Sequence, residues 1–174
     1  HRLRYDYLVL AVGSVSNDFG TPGAAENCIF LDDQRQADRF RHRLLDHCLR
    51  VSRTLSYDPA APAFVRVAIV GGGATGVELA AELFNAAAAL KFYGLEVFDE
   101  SRLQVSLIEA GPRILPALPE PLAKAAHEQL EALGVRVLTG APVSEVLPDA
   151  VQLASGERIA ADLRVWGAGV KAPE

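Results

Sequence analysis

The chain has 174 residues, half of them apolar and 22% charged, with a net charge of −5. This is the make-up of one ordinary globular domain or slightly more. The negative charge removes any electrostatic case for nucleic acid, and no apolar run approaches the ~20 residues that span a bilayer.

His1-Arg-Leu-Arg leads straight into an apolar stretch without the pattern of a signal peptide. Tyr5–Val12 is predicted as a strand ending at Gly13-Ser14, and residues 15–31 as loop punctuated by Gly20, Pro22 and Gly23. Asp32 or Asp33 is placed to cap a helix over 34–57, where Ala37, Phe40, Leu44, Leu45, Cys48 and Val51 recur at helical spacing. The arginines of this helix at 35, 39, 41, 43, 50 and 53 are interleaved with acids and read as a solvated face. Asp58-Pro-Ala-Ala-Pro62 marks a linker and a boundary.

A strand over 66–71, a glycine turn and a helix over 75–92 follow, then an excursion over 93–103 and a strand over 104–108. After a loop, a helix over 120–133 ends at the capping Gly134. Val135–Leu138 is predicted as a short parallel strand, and 142–147, 150–153 and 158–163 as an antiparallel meander. Leu163–Trp166 returns as a last strand into Gly167-Ala-Gly169. This order gives an α/β fold: a Rossmann-like parallel sheet carrying a three-stranded antiparallel β-meander. Gly71–Gly76, Glu109 and Gly167–Gly169 all fall at the carboxyl ends of parallel strands, where such sheets bind ligands.

The glycines at 71, 73 and 76 have the G-x-G-x-x-G spacing of a dinucleotide-binding turn, after a strand and at the start of a helix. Gly71 permits the tight turn, Gly73 the approach of a pyrophosphate, and Gly76 close packing of the helix. The helix N-terminus adds unpaired N–H groups and the positive dipole end. Glu109, after the next strand, is placed to hydrogen-bond the adenosine ribose. It lies 33 residues past Gly76, against about 20 in the usual unit, and the excursion at 93–103 accounts for the excess. A carboxylate about 5 Å from a phosphate charge costs roughly 3 kcal/mol at an effective dielectric of about 20, which favours NADH over NADPH. Arg113 opposes this if it meets a 2′-phosphate; its other reading is a loop arginine paired to a nearby acid. Cys28 and Cys48, 20 residues apart and without a C-x-x-C pair, argue against a disulfide scaffold, a zinc site or a dithiol redox centre. They read as buried or idle thiols in a reducing compartment. His1, His42, His47 and His127 lack metal-ligand spacing, and no metal site is expected. The chain contains no methionine, even at position 1, and stops just past an apolar strand; it is expected to be a fragment of a longer protein.

Ile69–Leu79, Leu107–Pro119, Gly134–Leu138 and Ala161–Pro173 resemble the NAD-binding domain of two-dinucleotide-binding flavoproteins, and among them the type II NADH dehydrogenases, single-subunit NADH:quinone oxidoreductases of bacterial respiration. Tyr5–Ser14 resembles a piece of the FAD domain of that family. The resemblance implies a partial FAD-domain segment and linker helix over 1–62 and an NAD(H)-binding domain over 63–174. It implies that Gly71, Gly72, Gly73, Ala74, Thr75 and Gly76 hold the pyrophosphate, with Ala168 and Gly169 also at the cofactor. FAD would be bound mostly by parts outside this sequence. The whole enzyme would reduce a quinone, be cytoplasmic and peripheral on the inner face of the bacterial cell membrane, and form a homodimer; the fragment alone would be inactive. Glu78, assigned to the first turn of the helix after the glycines, is favoured there by the dipole. The resemblance implies more, a position near the nicotinamide beside the flavin. Its neighbour Glu82 is read as solvent-facing and Trp166 as core. Other architectures kept open are a ferredoxin or disulfide reductase of the same plan and a non-enzymatic NAD(H) sensor.

Overall fold

The computed structural model describes residues 2–90, 95 and 98–173. In chain order these form β1 (Val15–Ser16), α1 (Ala24–Asn27), β2 (Ile29–Phe30), α2 (Gln34–Tyr57), β3 (Val65–Val70), α3 (Ala74–Leu90), a 3-10 turn (Glu100–Arg102), β4 (Leu103–Ile108), α4 (Glu120–Leu133), β5 (Arg136–Leu138), β6 (Val143–Leu147), β7 (Ala150–Leu153), β8 (Arg158–Ala160), β9 (Leu163–Trp166) and β10 (Val170–Lys171). The expected end of α3 at 92 and residues 93, 94, 96 and 97 of the excursion after it lie outside the described residues.

A parallel sheet has the order β2-β9-β3-β4-β5. Its centre is β3, whose Ile69 stands level with Leu107 of β4 and Val165 of β9. Alternation along β3 sorts two cores. Val65, Val67 and Ile69 pack with Leu107 and Val165 against the helices, including Phe40, Leu55, Leu83 and Leu130. Ala68 and Val70 pack with Ile108 and Trp166 against Val146, Val151 and Ile159 of the antiparallel sheet β6-β7-β8. Helices cover one face and the meander the other, so β3 is buried on both sides. That is why it reads as a nearly continuous apolar run rather than an alternating one.

Local chemistry sets the ends of the helices. Asp33 is the cap of α2, its carboxylate accepting the Gln36 N–H at 2.8 Å. Gly134, at φ 97, ends α4 in the left-handed conformation, and its N–H and that of Val135 close back on Glu131 and Leu130.

Four sequence expectations are corrected. Residues 5–12 form no strand: they pair with no described strand, and Tyr7 and Val9 are almost fully exposed. Strand-favouring side chains without a neighbouring edge make no ladder. Within 15–31, expected as loop, β1 pairs antiparallel with β10 and β2 joins the parallel sheet beside β9. Two-residue strands are too short to show a period. The meander's third strand stops at Ala160 rather than 163. There Asp162 turns the chain, its carboxylate and N–H both bonded to the backbone of Arg66 as β9 begins. Finally, α3 starts at Ala74, so Glu78 is its fifth residue and no acid lies in its first turn. The sheet and the helix-side core thus draw on both sides of residue 62, through β2 and α2.

A cavity at the carboxyl ends of the parallel strands

β3, β4 and β9 all run out at the same edge of the sheet, and a cavity of about 480 Å³ opens there. Gly71, Gly73, Glu109, Ala168 and Gly169 line it, with Phe19, Pro116 and Val143 among their neighbours. Gly72, Ala74, Thr75, Gly76 and Glu78 lie off its wall, Ala74, Thr75 and Glu78 at the exposed start of α3.

The glycines differ in what they face. Gly71 has φ +113, and a Cβ on it would meet the Ala168 N at 2.6 Å, so the turn out of β3 lies directly against the exit of β9. A Cβ on Gly76 would run into the Gly71 carbonyl and touch Leu107, which wedges the first turn of α3 onto the glycine loop. Gly73 is the opposite case. A Cβ there would meet nothing within 4 Å, so the backbone faces open space on the cavity side. The N–H groups of the first helical turn above it have no intrahelical acceptors.

Gly72 serves a different purpose. Its N–H donates to Glu109 Oε2 at 2.7 Å, and its carbonyl accepts the Leu115 N–H at 2.7 Å. Glu109 Oε1 accepts a second amide, that of Gly111, at 2.6 Å. Two amides therefore hold the carboxylate in one orientation at the half-buried end of β4, and each oxygen keeps a further lone pair for a hydroxyl.

Arg113 is paired with no acid among the described residues. Its guanidinium donates to the carbonyls of Leu118 at 3.0 Å and Pro116 at 2.9 Å, closing the loop after Glu109. Carbonyls take the place of the expected acid partner, in a loop that passes through Leu115 at φ 48. Trp166 is core, as expected, at 3% exposure. Its Nε1–H donates to the Asn17 and Ala168 carbonyls at 2.9 and 3.1 Å. Glu82 faces solvent and accepts from Asn85 at 3.1 Å. Both cysteines are buried and free. Burial pushes the Cys28 thiol up to about 12 and the Cys48 thiol up to about 11, the wrong direction for a reactive thiolate.

Sequence reasoning missed Phe19, Thr21, Pro116 and the Ala141–Val143 stretch of the wall. None has a sequence signal: each reaches the site through a loop whose path depends on long-range pairing. A second, apolar cavity of about 540 Å³ lies between α2 and α3, lined by Leu44, Cys48, Leu83 and Phe98. It has neither the glycine loop nor convergent polar groups.

The family model for pyridine nucleotide-disulphide oxidoreductases matches residues 1–174. The chain is 48% identical to a type II NADH:quinone oxidoreductase of Haemophilus influenzae over 98% of its own length and 41% of that protein's. It superposes on the structure of NDH2 from Plasmodium falciparum in complex with NADH with a TM-score of 0.77 at 26% identity, covering 98% of this chain and 36% of that one. A ferredoxin reductase from Rhodopseudomonas palustris shares the fold, with a TM-score of 0.70 at 22% identity over 97% of this chain and 35% of its own. The chain thus spans less than half the length of these relatives.

Proposed function

This chain belongs to the pyridine nucleotide-disulphide oxidoreductase family, and we propose that it is the NADH-binding part of a flavoprotein that passes a hydride from NADH to FAD and then electrons to a quinone. The observation that carries the reading is the cavity edge itself: a backbone left open at Gly73 beside a carboxylate pre-set at Glu109. The 48% identity to a type II NADH:quinone oxidoreductase supports the choice of acceptor.

The residues fit a dinucleotide. Gly71, Gly73 and the amides of Ala74, Thr75 and Gly76 offer the pyrophosphate space and N–H donors at a helix N-terminus. Gly72 contributes by fixing Glu109, since its own N–H is already bonded. Glu109 takes the ribose hydroxyls of the adenosine, and Ala168 and Gly169 form the opposite wall. When bound, NADH supplies the hydride; the protein supplies position and electrostatics. Glu78 is assigned to the nicotinamide and flavin side, where the exposed second turn of α3 would face a flavin domain. FAD, the quinone site and the self-association of a homodimer are assigned to the rest of the protein, with Tyr5–Ser14 as a piece of the flavin domain. Quinones reside in lipid, so the enzyme must work at the membrane surface, on the inner face in a bacterium. No helix among the described residues is long and apolar enough to cross a membrane.

The test is spectroscopy and turnover of the full-length protein. It should carry FAD and oxidise NADH with a soluble quinone. The 174-residue chain by itself should bind NADH and remain colourless. A full-length protein without flavin, or one that reduces only a ferredoxin-like protein, overturns the reading.

A further inference from the structure

Phe19 is an aromatic residue in an unusual place. It is 67% exposed, has φ 53, and lines the cavity. A bulky residue in the left-handed region is a genuine outlier, and such conformations collect at ligand clamps when their surroundings over-determine them. Here they do. The Phe19 N–H donates to Asn17 Oδ1 at 3.0 Å and the Gly20 N–H to Asp18 Oδ1 at 3.0 Å. The Asn17 N–H donates to the Gly169 carbonyl at 3.2 Å, and Trp166 Nε1–H donates to the Asn17 carbonyl at 2.9 Å. The β1–β10 pairing ties the same loop to the exit of β9. The loop is thus fastened at several points, and its fastening leaves an apolar ring at the cavity mouth.

The ring stands over Gly169. A Cβ there would collide with the tip of the Phe19 ring, and Gly169 is itself at φ +70. Sheet order then fixes which end of the cavity this is. β4 and β9 flank β3 on opposite sides. Glu109, at the end of β4, takes the adenosine ribose, and the glycine turn after β3 takes the pyrophosphate. A dinucleotide laid along this edge therefore brings its nicotinamide half to the β9 side, where Phe19 and Gly169 stand.

We propose that Phe19 is a binding residue for the nicotinamide half of NADH, its ring forming an apolar wall that holds that half in place. The side chain missing at Gly169 makes room for the ring. This rests on the NADH reading above and adds a residue-level recognition element to it.

The experiment measures binding of NADH and of ADP-ribose, which lacks the nicotinamide, to the full-length protein. Phe19→Ala should weaken NADH about tenfold and change ADP-ribose by less than twofold, with an unshifted melting curve. KM for NADH should rise more than kcat falls. Phe19→Tyr should restore most of the NADH affinity, and Phe19→Leu, which keeps apolar bulk if the alanine variant folds poorly, should fall between. Equal losses for both ligands, or no loss for NADH, would overturn the proposal while leaving the NADH reading intact. Wild-type protein that binds neither ligand defeats the NADH reading itself, and this proposal with it.

Discussion

Glu109 Oε2 accepts the amide of Gly72 at 2.7 Å, so the acid at the end of β4 and the middle glycine of the turn after β3 are held as one unit. Close packing enforces the link: a Cβ on Gly72 would stand 2.9 Å from the Glu109 Cβ and 2.9 Å from Ile114 Cγ2. In the motif the second residue after the strand carries no assigned role. Here it orients the Glu109 carboxylate, the group proposed to take the ribose.

The first prediction concerns that carboxylate. Glu109→Ala removes the acceptor of two amides and the charge proposed to repel a 2′-phosphate. The ratio of kcat/KM for NADH over NADPH should fall about tenfold or more, within the ~3 kcal/mol available from one charge pair at about 5 Å. Because the site is half-open to water, the two freed amides should cost only about 1–2 kcal/mol of stability. Steady-state kinetics with both cofactors and a melting curve check both parts. An unchanged ratio would move cofactor selection to Arg113, whose guanidinium is engaged with the Leu118 and Pro116 carbonyls.

The second prediction separates two glycines that the motif treats alike. Gly76→Ala pushes a methyl into the Gly71 carbonyl, a backbone atom with nowhere to go, and should destabilise the fold by about 1–3 kcal/mol. Gly73→Ala meets no protein atom and should melt like wild type, yet bind NADH at least tenfold more weakly because its methyl occupies the approach to the pyrophosphate. Thermal melts paired with NADH titrations decide it; the reverse pattern would reassign both residues.

The contrast between these glycines shows what a sequence makes legible. The β3–glycine turn–α3 unit, α2, α4 with its Gly134 cap and the meander all follow local rules of period, cap and turn, and the structure places each within two residues of expectation at its described ends, save the meander's third strand. Glu109 was found because it ends a strand of recognisable period. Phe19, Val143 and Pro116 were not, because their place depends on β1 meeting β10 across some 150 residues and on a loop closed by Arg113 onto carbonyls. The segment 5–12 failed for the converse reason: its local propensity was strong, and no described edge receives it.

The third prediction follows from the buried thiols. Both are raised above the ordinary value of 9.0, Cys28 to about 12 and Cys48 to about 11. The unfolded chain releases these protons near pH 9 while the native state retains them, so the native state binds more protons above that pH and stability falls as pH rises. The contribution is fully present below pH 9 and is lost between pH 9 and about 11–12. Denaturant melts at pH 8 and 10 should show a loss of order 1 kcal/mol per thiol, and Cys28→Ala with Cys48→Ala should flatten that slope. At pH 8 neither thiol should react with a thiol reagent until the protein unfolds. A thiol that labels rapidly in the native protein contradicts the burial argument.

The fourth prediction tests Glu78. At the fifth position of α3 it lies beyond the first turn, where the dipole acts most strongly, so a purely electrostatic contribution to the helix should be at most a few tenths of a kcal/mol. It is exposed and lies off the cavity wall, which leaves its carboxylate on a surface with no described partner. The proposed function assigns this acid, two residues past Gly76, to the place where a flavin domain would close over the nicotinamide. Glu78→Gln in the full-length enzyme keeps the size of the side chain and removes its charge. Turnover should fall about tenfold or more while NADH affinity changes less than threefold, because the interaction matters most during hydride transfer. Melting temperature should stay within about 1 °C of wild type, as an exposed position with so small a dipole contribution requires. Turnover equal to wild type in a variant that folds normally would reduce Glu78 to a solvated helix residue and remove it from the site.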